Sequence, residues 1–147
     1  MNIFVTIGTK DYPFDRLINA MDKKGVVMQI GKSVKPKEAT YFEFLKKQEV
    51  YDLMNWSDVI VCHAGTGTLM EAIDSGKKIV VVPRQKKYKE HIDDHQAQFA
   101  KYLAKHFKIK IVNDEKKLWE AIKKSTVPKN VKKNELLLDE IKRIVLK

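Results

Sequence analysis

The sequence predicts an α/β domain built on a doubly wound, mostly parallel sheet. Short strand-like runs alternate with helix-length amphipathic segments along the whole chain. The strand-like runs are apolar at successive positions, which is typical of strands covered on both faces by helices. With 147 residues, 44% of them hydrophobic, the chain is long enough for one core and too apolar to be disordered as a whole.

The first half of the chain alternates apolar runs with one amphipathic helix opened by Pro13. That helix has one apolar face, formed by Leu17, Ile18 and Met21, and ends at Gly25. In order, the sequence predicts a strand at 3–7, this helix, a strand at 26–30, a third strand at 39–44 and a helix at 49–55.

The second half continues the alternation, and its most strand-like run lies at 78–83. In order, the sequence predicts a strand at 58–62, a loop at 63–67, a helix at 68–75, the strand at 78–83, a basic loop at 84–90, a helix at 93–106, a strand at 109–112 and a helix at 115–124. Ligands of such sheets bind beyond the carboxyl ends of the strands, so this edge is where we expect a site.

The domain organisation predicted is an α/β domain over 1–130 followed by an amphipathic helix over 131–147. In that tail, apolar residues recur at helical spacing and lysines lie on the other face. Two roles are open to it, docking onto a partner and packing onto this domain's own sheet. The apolar residues are Leu137, Leu138, Ile141, Ile144 and Val145.

The formal net charge of +10 comes almost entirely from lysine, because only three of the 29 basic residues are arginines. Surfaces that recognise nucleic acid sequences depend on arginine for bidentate base contacts, so the composition argues against that class of protein. Solubility accounts for a lysine-rich surface, as does an anionic partner such as a phosphorylated ligand or an acidic membrane face.

Several classes of protein are excluded by what the sequence lacks. No apolar run is long enough to span a bilayer, and the first residues lack the pattern of a signal peptide. A single cysteine, Cys62, excludes an internal disulfide and a cysteine zinc site. These features predict a soluble, cytoplasmic protein.

The strongest candidate site is the run 63–71, HAGTGTLME, between a predicted strand and a predicted helix. Gly65 and Gly67 allow a tight turn and a close approach of the backbone to a ligand. Thr66 and Thr68 add hydroxyl groups, and the helix start adds free N–H groups, which together suit a diphosphate. The run is neither a Walker loop nor a dinucleotide fingerprint, since the Lys-Ser/Thr ending and the third glycine are absent. A glycine turn with a capping threonine is the alternative.

Glu71 lies one turn into the predicted helix, where its carboxylate can accept both hydroxyls of a ribose. The alternative is a capping box with Thr68, three residues earlier.

The run 91–96, HIDDHQ, is the second candidate cluster. Two histidines four residues apart could bind zinc, but Ile92 stands where a catalytic glutamate would be and a third ligand is not obvious, so no metal site is predicted. Asp93, His95 and Gln96 instead suit a helix start that presents polar groups to a sugar, or a solvated helix start.

In combination, three motifs resemble the donor-binding half of GT-B glycosyltransferases. They are HAGTGTLME at 63–71, GKKIVVVP at 76–83 and DDHQ at 93–96, and the opening IFVTIGT and the strand end QIG fit as well. Within that group the chain is most similar to the small Alg13/PssE/EpsF-type proteins of the family 28 C-terminal domain. The resemblance extends from residue 1 to about 105 and implies a Rossmann-like sheet.

The resemblance also implies roles for individual residues. Gly8 and Thr9 would border the diphosphate, which His63 and the loop from Gly65 through Thr66 and Gly67 to Thr68 would hold. Glu71 would bind the ribose, His95 and Gln96 the sugar hydroxyls, and Asp93 would orient that segment, while Gly31 would border the uracil. Asp94 departs from the asparagine common in the family, and the basic run 86–89 departs as well, either facing phosphates or lying in solvent.

The function implied is that of the donor-binding, catalytic subunit of a two-component glycosyltransferase, using a UDP-sugar and needing no metal or cofactor. A separate, membrane-anchored acceptor subunit (Alg14- or PssD-like) would hold a lipid-linked acceptor and bring this chain to the cytoplasmic face of the membrane. Two sources are open for the catalytic base: that partner, and His63, which is the one candidate in this chain and is expected first of all as a phosphate contact. The alternative is a non-catalytic nucleotide-binding or scaffold subunit.

Overall fold

The computed structural model describes residues 1–8, 12–91 and 93–128. Its strands are β1 (Ile3–Thr6), β2 (Val26–Gln29), β3 (Thr40–Phe42), β4 (Val59–Cys62), β5 (Lys78–Val81) and β6 (Lys110–Ile111). Its α-helices are α1 (Asp15–Met21), α2 (Lys47–Trp56), α3 (Thr66–Asp74), α4 (His95–Phe107) and α5 (Leu118–Lys123), and short 3-10 turns lie at Lys86–Tyr88 and Glu115–Lys117.

The six strands form one sheet in the order β3-β2-β1-β4-β5-β6, and every neighbouring pair is parallel. β1 pairs with both β2 and β4, with Ile3 opposite Val26 on one side and Val59 on the other. The strand order therefore reverses direction between β1 and β4, which is the switch point where doubly wound sheets bind ligands.

Helices cover both faces of the sheet because the central strands bury alternate side chains in two separate cores. On one face, Ile3 and Val5 pack with α1 and α5. On the other, Phe4 and Ile60 pack with α2, α3 and α4. The predicted fold class, a doubly wound and parallel α/β sheet, is confirmed.

The predicted elements are present, with shifts at their ends. α3 begins at Thr66, two residues before its predicted start, because Gly65 has the extended backbone of an N-cap residue. The predicted helix over 131–147 lies outside the described residues. None of the helices in the described part of the chain is long and apolar enough to cross a membrane.

Candidate functional site

A cavity of about 390 Å³ opens at the carboxyl ends of β1 and β4, at the switch point of the sheet. Its wall contains eight of the predicted site residues, and we call it the switch-point cavity. These eight are Gly8, His63, Gly65, Thr66, Gly67, Thr68, Glu71 and Gln96, and the remaining lining residues are Thr6, Gln29, Leu45, Lys47 and Val50.

The imidazole of His63 is buried between two glycines of this wall. A Cβ added at Gly8 would lie 2.5 Å from Nε2 of His63, and one added at Gly65 would collide with the ring at Cε1 and lie 2.6 Å from Nε2. Gly8 also has a φ of +78°, which disfavours any side chain. Both glycines therefore make room for this imidazole. At Gly67, by contrast, an added Cβ would meet nothing within 4 Å.

The proton position on His63 follows from the hydrogen bonds of Gln96. The backbone N–H of Arg84 donates to Oε1 of Gln96 at 3.1 Å, so the amide nitrogen of Gln96 faces Nδ1 of His63 at 3.3 Å. This pairing assigns the acceptor role to Nδ1 and the ring proton to Nε2, which is 3.4 Å from Oγ1 of Thr68. An N–H at Nε2 suits a phosphate contact better than proton abstraction, so the base role of His63 stays a prediction.

The N-terminus of α3 supplies further donors to the cavity. The first intrahelical bond runs from the N–H of Leu69 to the carbonyl of Gly65 at 2.9 Å. The amides of Thr66, Gly67 and Thr68 precede it and have no carbonyl of their own helix to bond, and the positive end of the helix dipole lies with them. The structure thus brings three N–H groups, a hydroxyl and an imidazole N–H to one wall.

Glu71 lies farther along α3, half-buried on the same cavity. Because the N-cap is Gly65, Glu71 is past the first turn, and the capping-box alternative is wrong. Within residues 1–8, 12–91 and 93–128, no group bonds its carboxylate, which leaves both oxygens available to a ligand. Lys47, exposed at the start of α2, is the cation on this side of the cavity.

A smaller pocket of about 120 Å³ adjoins the switch-point cavity and shares Gly65, Thr66 and Gln96 with it. His91 and His95 lie on its wall. Their Nδ1 atoms are 3.2 and 3.3 Å from the two oxygens of Asp93, so this carboxylate holds both rings. The backbone N–H of His95 and the two nearby imidazoles keep the pKa of Asp93 below its usual range. Asp93 therefore remains ionised and fixes the start of this segment, while its role in a sugar site stays a prediction.

The other predicted residues that the structure describes lie away from the wall of the switch-point cavity. Gly31 is buried under Ile7, with its N–H bonded to the carbonyl of Glu43 at 2.8 Å, so its contact with a uracil stays a prediction. Thr9 lies outside the described residues. The basic run 86–89 is exposed in solvent and does not line the cavity. Among the described residues, no three histidine, cysteine or acidic side chains form a group that could hold a metal ion.

Sequence reasoning missed two charged residues at the ends of the predicted basic loop, both of which are buried. Arg84 is 1% exposed and Glu90 4%. Arg16 bonds the Glu90 carboxylate with two nitrogens, each at 2.9 Å. Thr6 and Gln29 were missed as well, although both stand at strand ends, where their Oγ1 and Oε1 atoms are 2.6 Å apart.

The family model of the glycosyltransferase family 28 C-terminal domain matches residues 2–140. The chain belongs to this family. Its fold fits that of the NMR structure of ALG13, with a TM-score of 0.63 at 16% identity, covering 95% of this chain and 94% of that one. The calicheamicin glycosyltransferase CalG4 gives a TM-score of 0.60 at 14% identity, covering 97% of this chain and 37% of that one.

Curated relatives of this family 28 domain are much longer than the chain. Mouse "UDP-N-acetylglucosamine transferase subunit ALG13" is 28% identical over 120 residues, which are 69% of this chain and 10% of that protein. A Geobacter sulfurreducens UDP-N-acetylglucosamine--N-acetylmuramyl-(pentapeptide) pyrophosphoryl-undecaprenol N-acetylglucosamine transferase is 41% identical over 54 residues, or 37% of this chain and 14% of that protein. The aligned part thus spans about a tenth of the length of these relatives.

A second cavity of about 400 Å³ lies between β6 and α5, on the outer side of the sheet. It is as large as the switch-point cavity, but it lies at the edge strand β6, away from the switch point, and none of the described residues that line it is a glycine. Volume does not separate the two cavities, whereas their place in the sheet and the glycines of the switch-point wall do.

Proposed function

We propose that this family 28 domain is the donor-binding, catalytic subunit of a two-component glycosyltransferase that uses a UDP-sugar. One observation carries the proposal: the N-terminal residues of α3, the Thr68 hydroxyl and the imidazole of His63 together line the switch-point cavity. Two of its relatives are named as UDP-N-acetylglucosamine transferases, so UDP-N-acetylglucosamine is the donor to test first.

In this proposal the diphosphate binds at the N-terminus of α3, where N–H donors and the helix dipole favour negative charge. The ribose hydroxyls donate to the Glu71 carboxylate, one turn away on the same wall. The sugar occupies the adjoining pocket, where His95 and Gln96 face its hydroxyls. Gly8 borders the diphosphate from β1.

The chemical step transfers the sugar from the diphosphate to an acceptor hydroxyl. The bond from the anomeric carbon to the diphosphate oxygen breaks, and negative charge accumulates on the departing UDP. Donors fixed by the fold stabilise that charge without reorganising, which lowers the barrier and requires no metal. The acceptor hydroxyl loses its proton to a base that we assign to the partner.

The partner in this proposal is a membrane-anchored subunit that holds a lipid-linked acceptor at the cytoplasmic face. The mouse relative is named as a subunit, which supports an assembly with at least one further chain. This chain would then be cytoplasmic and peripheral to the membrane through its partner.

Calorimetry with UDP and UDP-N-acetylglucosamine tests the donor site. Loss of a charged hydrogen-bond partner costs about 1.5–3 kcal/mol, so Glu71→Ala should weaken UDP binding by at least about tenfold. Glu120→Ala is the matched control. Glu120 is exposed on α5, its carboxylate accepts from Lys124, and it does not line the switch-point cavity. If the wild type binds no nucleotide, the donor site is refuted.

Transfer by membranes that contain the chain and its membrane partner separates catalysis from scaffolding. The proposal predicts that Glu71→Ala and Gln96→Ala lower sugar transfer while assembly with the partner is retained. Undiminished transfer by both variants would instead favour the non-catalytic scaffold.

A further inference from the structure

Arg84 is a charged side chain buried behind the switch-point cavity. It follows β5 and is 1% exposed, and the nearest carboxylate, that of Glu90, is bonded to Arg16. Burial lowers the pKa of Arg84 to about 10, so the guanidinium still carries its charge at neutral pH. A buried charge is costly unless the structure supplies partners, and here those partners are backbone carbonyls.

The guanidinium of Arg84 bonds both ends of the loop between β1 and α1. Nη2 donates to the carbonyl of Ile7 at 2.8 Å. Nη1 donates to the carbonyls of Tyr12 at 2.7 Å and Pro13 at 3.3 Å, and the group lies over the ring of Phe14. Ile7 directly precedes Gly8 in the chain. The two guanidinium nitrogens therefore fix the backbone next to Gly8, which lines the cavity at the end of β1.

The backbone of Arg84 contacts the same cavity by a second route. Its N–H donates to Gln96, whose amide nitrogen faces Nδ1 of His63. His63 in turn packs against Gly8 and points Nε2 at Thr68. Arg84 is therefore bonded to Gln96 and to the peptide unit that leads into Gly8, two of the groups around the His63 imidazole.

We propose that Arg84 is a positioning residue of the donor site, whose guanidinium holds Gly8 against His63 and so sets the phosphate-facing wall. The inference rests on the proposed function for the ligand, but the placement of Gly8 and His63 can be measured without one. A lysine cannot replace the guanidinium, because one ammonium nitrogen cannot reach Ile7 and Tyr12 as two forked nitrogens do.

The test compares Arg84→Lys and Arg84→Gln with Asp22→Asn as the control. Like Arg84, Asp22 has a side chain that binds the backbone of a loop: its carboxylate accepts from the N–H groups of Lys37, Glu38 and Ala39 at 2.7–3.0 Å. Neither Asp22 nor these three residues line the switch-point cavity. All three variants should melt earlier than the wild type. Only the Arg84 variants should weaken UDP binding, by about tenfold, and raise the KM for the UDP-sugar more than they lower kcat.

Amide and imidazole ¹⁵N signals of the ligand-free protein provide the second measurement. The proposal predicts that the amide signal of Gly8 and the imidazole signals of His63 change position in the Arg84 variants and are unchanged in Asp22→Asn. It is overturned if these signals do not move, or if UDP binding weakens no more than in Asp22→Asn. A wild type that binds no UDP refutes the proposed function, while the two signals still decide the role of Arg84.

Should both Arg84 variants fail to fold, the wild type supplies the result. A guanidinium held by the carbonyls of Ile7, Tyr12, Pro13 and Glu90 gives resolved Nη signals, and saturating UDP should shift those of Arg84 together with Gly8. Arg84 signals that stay unchanged while Gly8 shifts would contradict the proposal.

Discussion

Gly65 and Gly67 look alike in the sequence, but they have different surroundings, and alanine substitutions should separate their roles. Gly65 has the ring of His63 where its Cβ would lie, while Gly67 has open space on the cavity side. We therefore expect Gly65→Ala to damage the fold and Gly67→Ala to damage only ligand binding.

The magnitudes follow from the two environments. Gly67 is the second residue of α3, where alanine should stabilise the helix by about 0.5–1 kcal/mol and raise the melting temperature by about 1–4 °C. At Gly65, the buried imidazole must move, and such overpacking costs about 1–3 kcal/mol. His63→Ala should remove much of that cost in the Gly65→Ala background, since the two sites are in contact.

Thermal unfolding and UDP calorimetry on the same samples decide the matter. Gly67→Ala should melt at or above the wild-type temperature yet bind UDP at least about tenfold more weakly, because its methyl group occupies the phosphate side of the cavity. Wild-type UDP affinity in Gly67→Ala would refute the placement of the diphosphate on the N-terminus of α3.

Three further predictions concern single side chains. Glu71→Gln should weaken UDP binding by about five- to thirtyfold while pyrophosphate, which has no ribose, binds no worse; equal losses for both ligands in calorimetry would contradict the ribose contact. Burial alone would raise the pKa of Asp22, but three backbone N–H donors lower it below its usual 3.8. The ionised carboxylate therefore stabilises the fold fully above pH 3.8. This stabilisation is lost as the pH falls through the lower pKa that Asp22 has in the folded state. Asp22→Asn should therefore unfold at lower urea than the wild type at pH 7, with the gap narrowing at pH 3; a gap independent of pH would contradict this. Burial raises the pKa of the Cys62 thiol to about 12, so it should resist maleimide at pH 8 until urea unfolds the chain.

The sheet could be predicted because its strands have a strong local pattern. β4 and the part of β5 that follows Lys78 are continuous apolar runs, closed by His63 and Pro83, and such runs indicate burial on both faces. Element ends were harder to predict. Helix α3 starts at Thr66 because Gly65 takes an extended conformation, which a glycine permits but does not require.

The candidate site was predictable where it lies on one contiguous run, as from His63 to Glu71. Residues that reach the cavity from other elements were missed, such as Gln29 from β2 and Lys47 from α2, because strand order decides which elements meet. Arg84 was missed for another reason. In the sequence it begins a basic, polar run, and its burial depends on carbonyls 70 or more residues away.

The most direct test of the central claim, a diphosphate site at the switch point, is a ¹⁵N NMR titration of the chain with UDP and with uridine. UDP should shift the amides of Thr66, Gly67 and Thr68 more than any others, and uridine, which lacks the diphosphate, should leave these three amides nearly unmoved. The largest UDP shifts falling instead between β6 and α5, around the second cavity at Asn113 and Lys117, would contradict the account.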